Sequence, residues 1–103
     1  MLQTAVIAKR TDDGEPDTEE IRGLTEATGA RVVGAVTQVR ASDPGTELGD
    51  GKVQELADLV ADTGADTVVV DNELTPQQTV NLEDAVGTRV VDRHRVVLEI
   101  FAD

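Results

Sequence analysis

Residues 67–87 read TVVVDNELTPQQTVNLEDAVG, and this stretch decides the fold. It opens with a short β-branched run at 67–70, without polar alternation, as expected of a strand covered on both faces. A helix start follows, with Thr75 as N-cap, Pro76 at the first helical position and Gln78 placed to close a capping box. The helix pattern continues through Leu82, Ala85 and Val86 to Gly87, a residue that takes the left-handed helix-ending conformation cheaply. Residues 89–91 (RVV) then read as another buried strand.

The same alternation extends toward the N-terminus. Residues 4–8 (TAVIA) and 31–36 (RVVGAV) read as strands. A helix opening at Asp50-Gly51 places Val53, Leu56, Ala57 and Val60 on one face and stops at Gly64. Another begins at Pro16-Asp17, with Asp17 and Glu20 in capping-box spacing; it is expected to bury Ile21, Leu24 and Ala27 and to stop at Gly29. Strand–helix alternation predicts a single α/β domain over residues 1–103: a small, mostly parallel four-stranded sheet with three flanking helices, on both faces or mainly on one. The last segment, 95–103, fits two periods. Val97, Leu98 and Phe101 suit a helix, whereas Val96, Leu98 and Ile100 suit a strand.

At 103 residues the chain is long enough for one hydrophobic core. It has no apolar run of about 18 residues that could span a membrane and no signal-peptide pattern. Cysteine is absent, which excludes disulfides and thiolate metal sites. A cytoplasmic protein is expected. Twenty-one acidic residues face nine basic ones, for a net charge of −12; Lys9 and Lys52 are the only lysines and Phe101 the only aromatic residue. Acidic surface, scarce lysine and small apolar side chains suggest an extreme halophile, in which salt screens the self-repulsion. The charge then reflects habitat and does not argue against RNA as a partner.

Ligands of open parallel sheets bind beyond the carboxyl ends of the strands. Lys9 and Arg10 follow the first strand, Arg40 the second, and Arg93 and Arg95 the fourth, while Lys52 opens a helix; six of the nine basic residues thus map to one edge. Such an edge on an acidic background suggests a polyanion, although each arginine could equally pair with a nearby carboxylate. The connection Arg40–Asp50 (RASDPGTELGD) is the longest, and its Gly49-Asp50-Gly51-Lys52 end invites comparison with a phosphate-binding loop. A Walker A motif would need Gly at position 46 and Ser or Thr at position 53, where Thr46 and Val53 stand. Nucleotide hydrolysis by this loop is not expected.

Asp71, Asn72 and Glu73 follow the third strand and Asp92 the fourth. Such carboxylates could hold Mg²⁺ through water, but turn and cap chemistry, with Asp71 fixing the turn into Thr75, is the preferred reading. A response-regulator site is excluded, because Lys9 and Arg10 stand where it needs acids. Ser42, the only serine, falls in a loop expected to be mobile, and His94, the only histidine, has no evident partner, so no catalytic residue is assigned. Stacking platforms for single strands are also missing, since Tyr and Trp are absent and Phe101 reads as buried.

Three segments together carry a resemblance. Residues 49–53 (GDGKV), 71–83 (DNELTPQQTVNLE) and 91–93 (VDR), followed by 98–102 (LEIFA), are similar in order and spacing to the N-terminal domain of the HflX family of ribosome-associated GTPases. His94 departs from that pattern, which often has a small capping residue there. The resemblance implies a ribosome-binding module. The parent protein would dock on the large ribosomal subunit and split or rescue ribosomes with GTP, and this chain would contribute recognition of ribosomal RNA. GTP and Mg²⁺ would belong to a GTPase domain absent from these residues, so no cofactor is expected here. Lys9, Arg10, Arg40, Gly49, Gly51, Lys52, Arg93 and Arg95 become the candidate phosphate contacts. Asn72, Glu73, Thr75 and Pro76 would supply shape. The resemblance also favours a helix at 95–103 leading into a helical region. Without that region, Val97, Leu98 and Phe101 are expected to form an apolar patch with weak self-association. The other reading is a stand-alone α/β domain that binds a small molecule or nucleotide at the same edge.

Overall fold

Valine runs and glycine-terminated helices alternate along the chain, and a computed structural model describing residues 2–102 shows the elements they make. In order these are β1 (Thr4–Thr11), α1 (Glu19–Ala27), β2 (Arg31–Val39), α2 (Asp50–Thr63), β3 (Thr67–Val70), α3 (Pro76–Val86), β4 (Arg89–Asp92) and α4 (Arg93–Ile100). All strand pairs are parallel, in the order β2-β1-β3-β4. The three expected helices are present, and the ambiguous segment 95–103 is helical as far as Ile100, with Asp103 outside the described residues. No helix among the described residues is long and apolar enough to cross a membrane.

The inner strands β1 and β3 are covered on both faces, which is why they lack polar alternation, whereas edge strand β2, read from sequence as buried at 31–36, buries only Val36. One face packs Val6, Ala8, Val36, Val68, Val70 and Val90 against Leu56 and Val60 of α2 and Leu82 and Val86 of α3. The other packs Ala5, Ile7, Val69 and Val91 against Ile21 of α1 and Val96 of α4. Small side chains let the layers approach closely. A Cβ at Gly34 would lie 3.0 Å from a Leu59 methyl, so a larger residue there would need the Leu59 side chain of α2 to shift.

Local chemistry follows the sequence closely at α3. The Thr75 hydroxyl accepts from the Gln78 amide, the Gln78 side chain accepts from the Thr75 amide, and Gly87 (φ 74°) closes the helix. At α1 the expectation fails in detail. The helix starts at Glu19 with Thr18 as N-cap and no side-chain cap bond; Asp17 accepts from the Glu19 amide, and Glu20 is committed elsewhere. Thr25, not Ala27, is the second buried residue, its hydroxyl donating to the Ile21 carbonyl at 2.7 Å. Ala85 of α3 is likewise exposed. Phe101, read from sequence as buried, lies beyond the last turn of α4 and is 80% exposed. The core closes with aliphatic residues alone.

Two carboxylates are held below the usual range. Burial pushes the Asp66 carboxyl up, but bonds from the Thr67 hydroxyl and the Gln3 and Thr4 amides more than reverse this. The amides of Gly45 and Thr46 lower Asp43. A depressed folded pKa contributes stability that is complete above the unfolded value of about 3.9 and is lost as pH falls through the folded value. In about 1 M KCl, where the Debye length is roughly 3 Å, the melting temperature is therefore expected to fall below about pH 4, and less so in Asp66→Asn. At neutral pH the net charge of −12 should make melting rise with KCl. Circular-dichroism melts across pH and salt check both; a melting temperature indifferent to KCl would refute the repulsion argument.

Candidate functional site: the carboxyl edge of the sheet

The chain reverses its winding between β1 and β3, so the crevice where such folds hold ligands opens at their carboxyl ends. Here the protein's own side chains fill it. After β3 ends, the Asp71 amide donates to the Ala8 carbonyl at 2.8 Å. Asn72 extends the ladder by one rung: its amide oxygen accepts from the Arg10 N–H (2.8 Å) and its NH₂ donates to the Arg10 carbonyl (2.7 Å).

Two buried carboxylates organise the cations around this seam. The Asp71 side chain, 4% exposed, accepts from Arg93 Nε (2.8 Å) and Nη2 (3.1 Å) and pairs with Lys9 Nζ (3.0 Å). Lys9 also donates to the Asp17 carbonyl, and Arg93 Nη1 reaches Glu20 of α1 at 2.6 Å. Glu47 is buried too. It accepts from Arg10 Nε at 2.6 Å and from the Ser42 hydroxyl at 3.0 Å. Arg10 Nη1 bonds Asp12 and the Arg40 carbonyl, both at 2.8 Å. Glu47 holds the Arg10 guanidinium more firmly protonated than usual, as Asp71 and then Glu20 do for Arg93.

The connection between β2 and α2, expected to be mobile, is braced. Asp43 and Glu47 exchange two backbone bonds, and Asp43 Oδ1 accepts from the Gly45 and Thr46 amides. Glu47 takes the left-handed conformation (φ 67°), a strained choice for a non-glycine residue, and its buried pairing with Arg10 helps hold it there. From α3, Gln78 donates to the Asp43 carbonyl (3.1 Å) and Asn81 to the Gly45 carbonyl (2.8 Å). Gln38 accepts from the Gly49 amide at 2.9 Å. Residues that carried the resemblance, Gln78 and Asn81, are thus supports of the loop. Glu83 accepts from the Val90 N–H of edge strand β4 (3.0 Å), occupying a donor that another chain could otherwise pair with.

The structure sorts these cations into two groups at the carboxyl edge, Lys9 with Arg93 around Asp71 on the side of α1 and α4, and Arg10 with Arg40 beside Glu47 and the loop on the other, with Asn72 on the seam between them. Gly49 lies beneath the Arg40 side chain, where a Cβ would stand 2.9 Å from Nη1, and Arg40 meets Asp43 at 3.8 Å. Lys52 stands apart at the start of α2 beside the exposed Gly51 and pairs with Glu55 (2.9 Å). Arg95 joins neither group. It lies along α4 toward Glu99, which also meets Arg89 at the opposite end of the sheet. Thr75 and Pro76 start α3. Asp71 does not fix the turn into Thr75 as expected, and Asp92 caps α4 through the Arg95 amide. Glu73 and the exposed His94 help line a groove of about 470 Å³ with Asp71, Asn72, Asp92, Arg93 and Val97. Among the described residues no group of three acids or histidines is placed to hold a metal ion, and both Asp71 oxygens already face cations.

Sequence reading missed Glu47, Gln38 and Asn81 as parts of the site, because each acts on a partner distant along the chain. Asp71→Asn leaves Lys9 and Arg93 without their shared countercharge. Both cations keep some water access, so the expected loss is near the low end of the about 3–5 kcal/mol for breaking a buried pair, read by denaturant unfolding. Asn81→Ala removes one brace. It should cost about 0.5–1.5 kcal/mol and speed amide exchange at residues 43–47 ahead of the rest of the chain.

Comparison with known proteins agrees with this architecture. Residues 15–102 match the family described as GTP-binding GTPase N-terminal. The chain is 39% identical over 103 residues to a protein named GTPase HflX from Lacrimispora saccharolytica, covering 99% of this chain and 24% of that one. It is 37% identical over 92 residues to GTPase HflX from Escherichia coli, covering 88% of this chain and 22% of that one. It therefore spans about a quarter of the length of these relatives. A GTP-binding protein from the hyperthermophilic archaeon Sulfolobus solfataricus, solved with GDP, shares the fold with a TM-score of 0.73 at 21% identity, over 98% of this chain and 30% of that one. The chain belongs to the GTP-binding GTPase N-terminal family, as the counterpart of the N-terminal region of HflX GTPases.

Proposed function

We propose that this domain is the ribosome-recognition module of an HflX-like GTP-binding protein, and that its carboxyl edge contacts RNA phosphates of the large subunit. GTP hydrolysis would lie in the remaining three-quarters of such a parent. The observation that carries the reading is that Arg10 and Arg40 beside the braced loop, and Lys9 and Arg93 around Asp71, all lie along one carboxyl edge of a domain of net charge −12. Buried Asp71 and Glu47 hold the cations in position, and preorganised donors lose little freedom on binding. Lys52 adds a charge at the adjoining helix start. Thr75 and Pro76 follow the turn that presents Glu73, while Asn72 shapes the edge through its two bonds to the Arg10 backbone. A cytoplasmic, high-salt setting fits the absence of cysteine and the acidic surface.

The exposed Leu98 and Phe101 at the end of α4, with the half-buried Val97, are in this reading where further parts of the parent pack; the isolated chain would self-associate weakly there. The groove of about 470 Å³ beside Arg93 has the size of a small-molecule site, which supports the second reading, a nucleotide or metabolite sensor. The filled crevice between β1 and β3 argues against it.

Co-sedimentation with large ribosomal subunits in a KCl series up to about 1 M tests the proposal. The expected result is pelleting whose log affinity falls linearly with log salt, with the slope reduced by about one for each of Arg40→Ala and Lys52→Ala. Neither substitution touches Asp71 or Glu47, so the fold should persist. A folded protein that does not pellet at any salt would sink this reading.

A further inference from the structure

The cationic heads at the carboxyl edge differ in what holds each side of them. Arg93 Nε and Nη2 rest on Asp71, and Arg10 Nε rests on Glu47, with both carboxylates buried. The outward nitrogens meet carboxylates of another kind. Arg93 Nη1 meets Glu20 at 2.6 Å and Arg10 Nη1 meets Asp12 at 2.8 Å, and those two acidic side chains are 73% and 81% exposed. A guanidinium is a rigid planar fork, so fixing one side aims the other. The inner partner positions each arginine, and the outer partner only occupies it.

We infer that Glu20 and Asp12 are place-holders for backbone phosphates of RNA, covering the outward nitrogens of Arg93 and Arg10 in the free domain and giving way when a phosphodiester binds. This rests on the ribosome-recognition reading for its ligand class. Ion pairs open to water on one side are weak, and the two acids return to water readily when displaced; Arg93 is 39% exposed at its pair, whereas Arg10 is only 11% exposed and is reached through the position Asp12 holds. Asp71 and Glu47 cannot yield in the same way, because release would strand a buried charge. A phosphate offers oxygens with the same geometry for the vacated nitrogens. Arg10 Nη1 keeps its bond to the Arg40 carbonyl throughout, which holds its aim. Placing these acids at the edge also turns away weak or isolated anions, since any ligand must outcompete a carboxylate already in contact.

Neutralising the place-holders should tighten RNA binding beyond what the change in net charge explains. The test compares Glu20→Gln with Asp12→Asn, made together, against Glu26→Gln with Asp62→Asn, which changes net charge equally on exposed helix positions away from the edge. Affinity for a short RNA duplex and for large ribosomal subunits is measured in about 0.5 M KCl, where the Debye length is on the order of 4 Å and distant charges are screened. The place-holder pair is expected to bind about three- to tenfold tighter than the wild type, and the control pair less than about twofold tighter. Equal gains in the two pairs, or none in the first, would overturn the inference. Subunits pelleted alike by wild type and place-holder variant would leave ribosome recognition standing and remove the place-holders. Tighter duplex binding without any pelleting of subunits would do the reverse.

Discussion

The carboxylate of Asp71 is the constraint on which the carboxyl edge depends. It is buried at the point where the winding of the sheet reverses, and a buried charge is tolerated only when paired and hydrogen-bonded. Lys9 arrives from β1 and Arg93 from the start of α4, so one side chain ties the central strand pair to the last helix. Arg93 then reaches the exposed Glu20 of α1 with its outward nitrogen. Helices α1 and α4, which cover one face of the sheet, are held to it by the apolar packing of Ile21 and Val96, and Asp71 fixes the start of α4 through Arg93. The arrangement also occupies the crevice that in related architectures admits a ligand.

Closing that crevice moves binding from a cleft to a surface. Asn72 seals the seam against the Arg10 backbone, and Glu47 draws the Arg10 side chain toward the loop. The cations left at the edge are held on one side and available on the other. In a domain with twenty-one acidic residues, free cationic heads would soon find carboxylates in arbitrary geometries. Burying two of those carboxylates beneath the arginines and Lys9 decides which geometry is adopted.

Much of the fold was legible because its signals are local. The capping box of α3, the glycines after the helices and the valine runs each act within a few residues, and the elements they specify lie where the sequence places them. The candidate site was legible only as a set of positions. Arg95 follows the fourth strand as Arg93 does, yet two helical steps put it on the other side of α4, toward Glu99 and away from Asp71. Glu47 carries no local sign of its left-handed backbone, since the partners that hold it there, Arg10 above all, come from another part of the chain. Phe101 was misjudged because an aromatic residue is ordinarily core, whereas this core closes on smaller side chains and leaves the ring outside.

The residues behind the resemblance have a common physical role that their spacing alone does not reveal. Asn72 completes the ladder beyond β3, Gln78 and Asn81 hold the Arg40–Asp50 loop, Glu83 occupies an edge N–H, Asp92 caps α4, and Arg93 grips Asp71. Nearly all of their polar atoms are committed internally, so they shape the edge more than they decorate it. A stretch that must satisfy this many partners at once accepts few replacements, because each change leaves a buried or half-buried group unpaired. The parts that can turn to a partner are fewer: the nitrogens of Arg10 and Arg93 now covered by the exposed Asp12 and Glu20, the Arg40 and Lys52 heads, and Glu73 and His94 at the groove. Motif residues of this kind therefore identify the scaffold, and recognition falls to the small set of side chains that the scaffold holds outward.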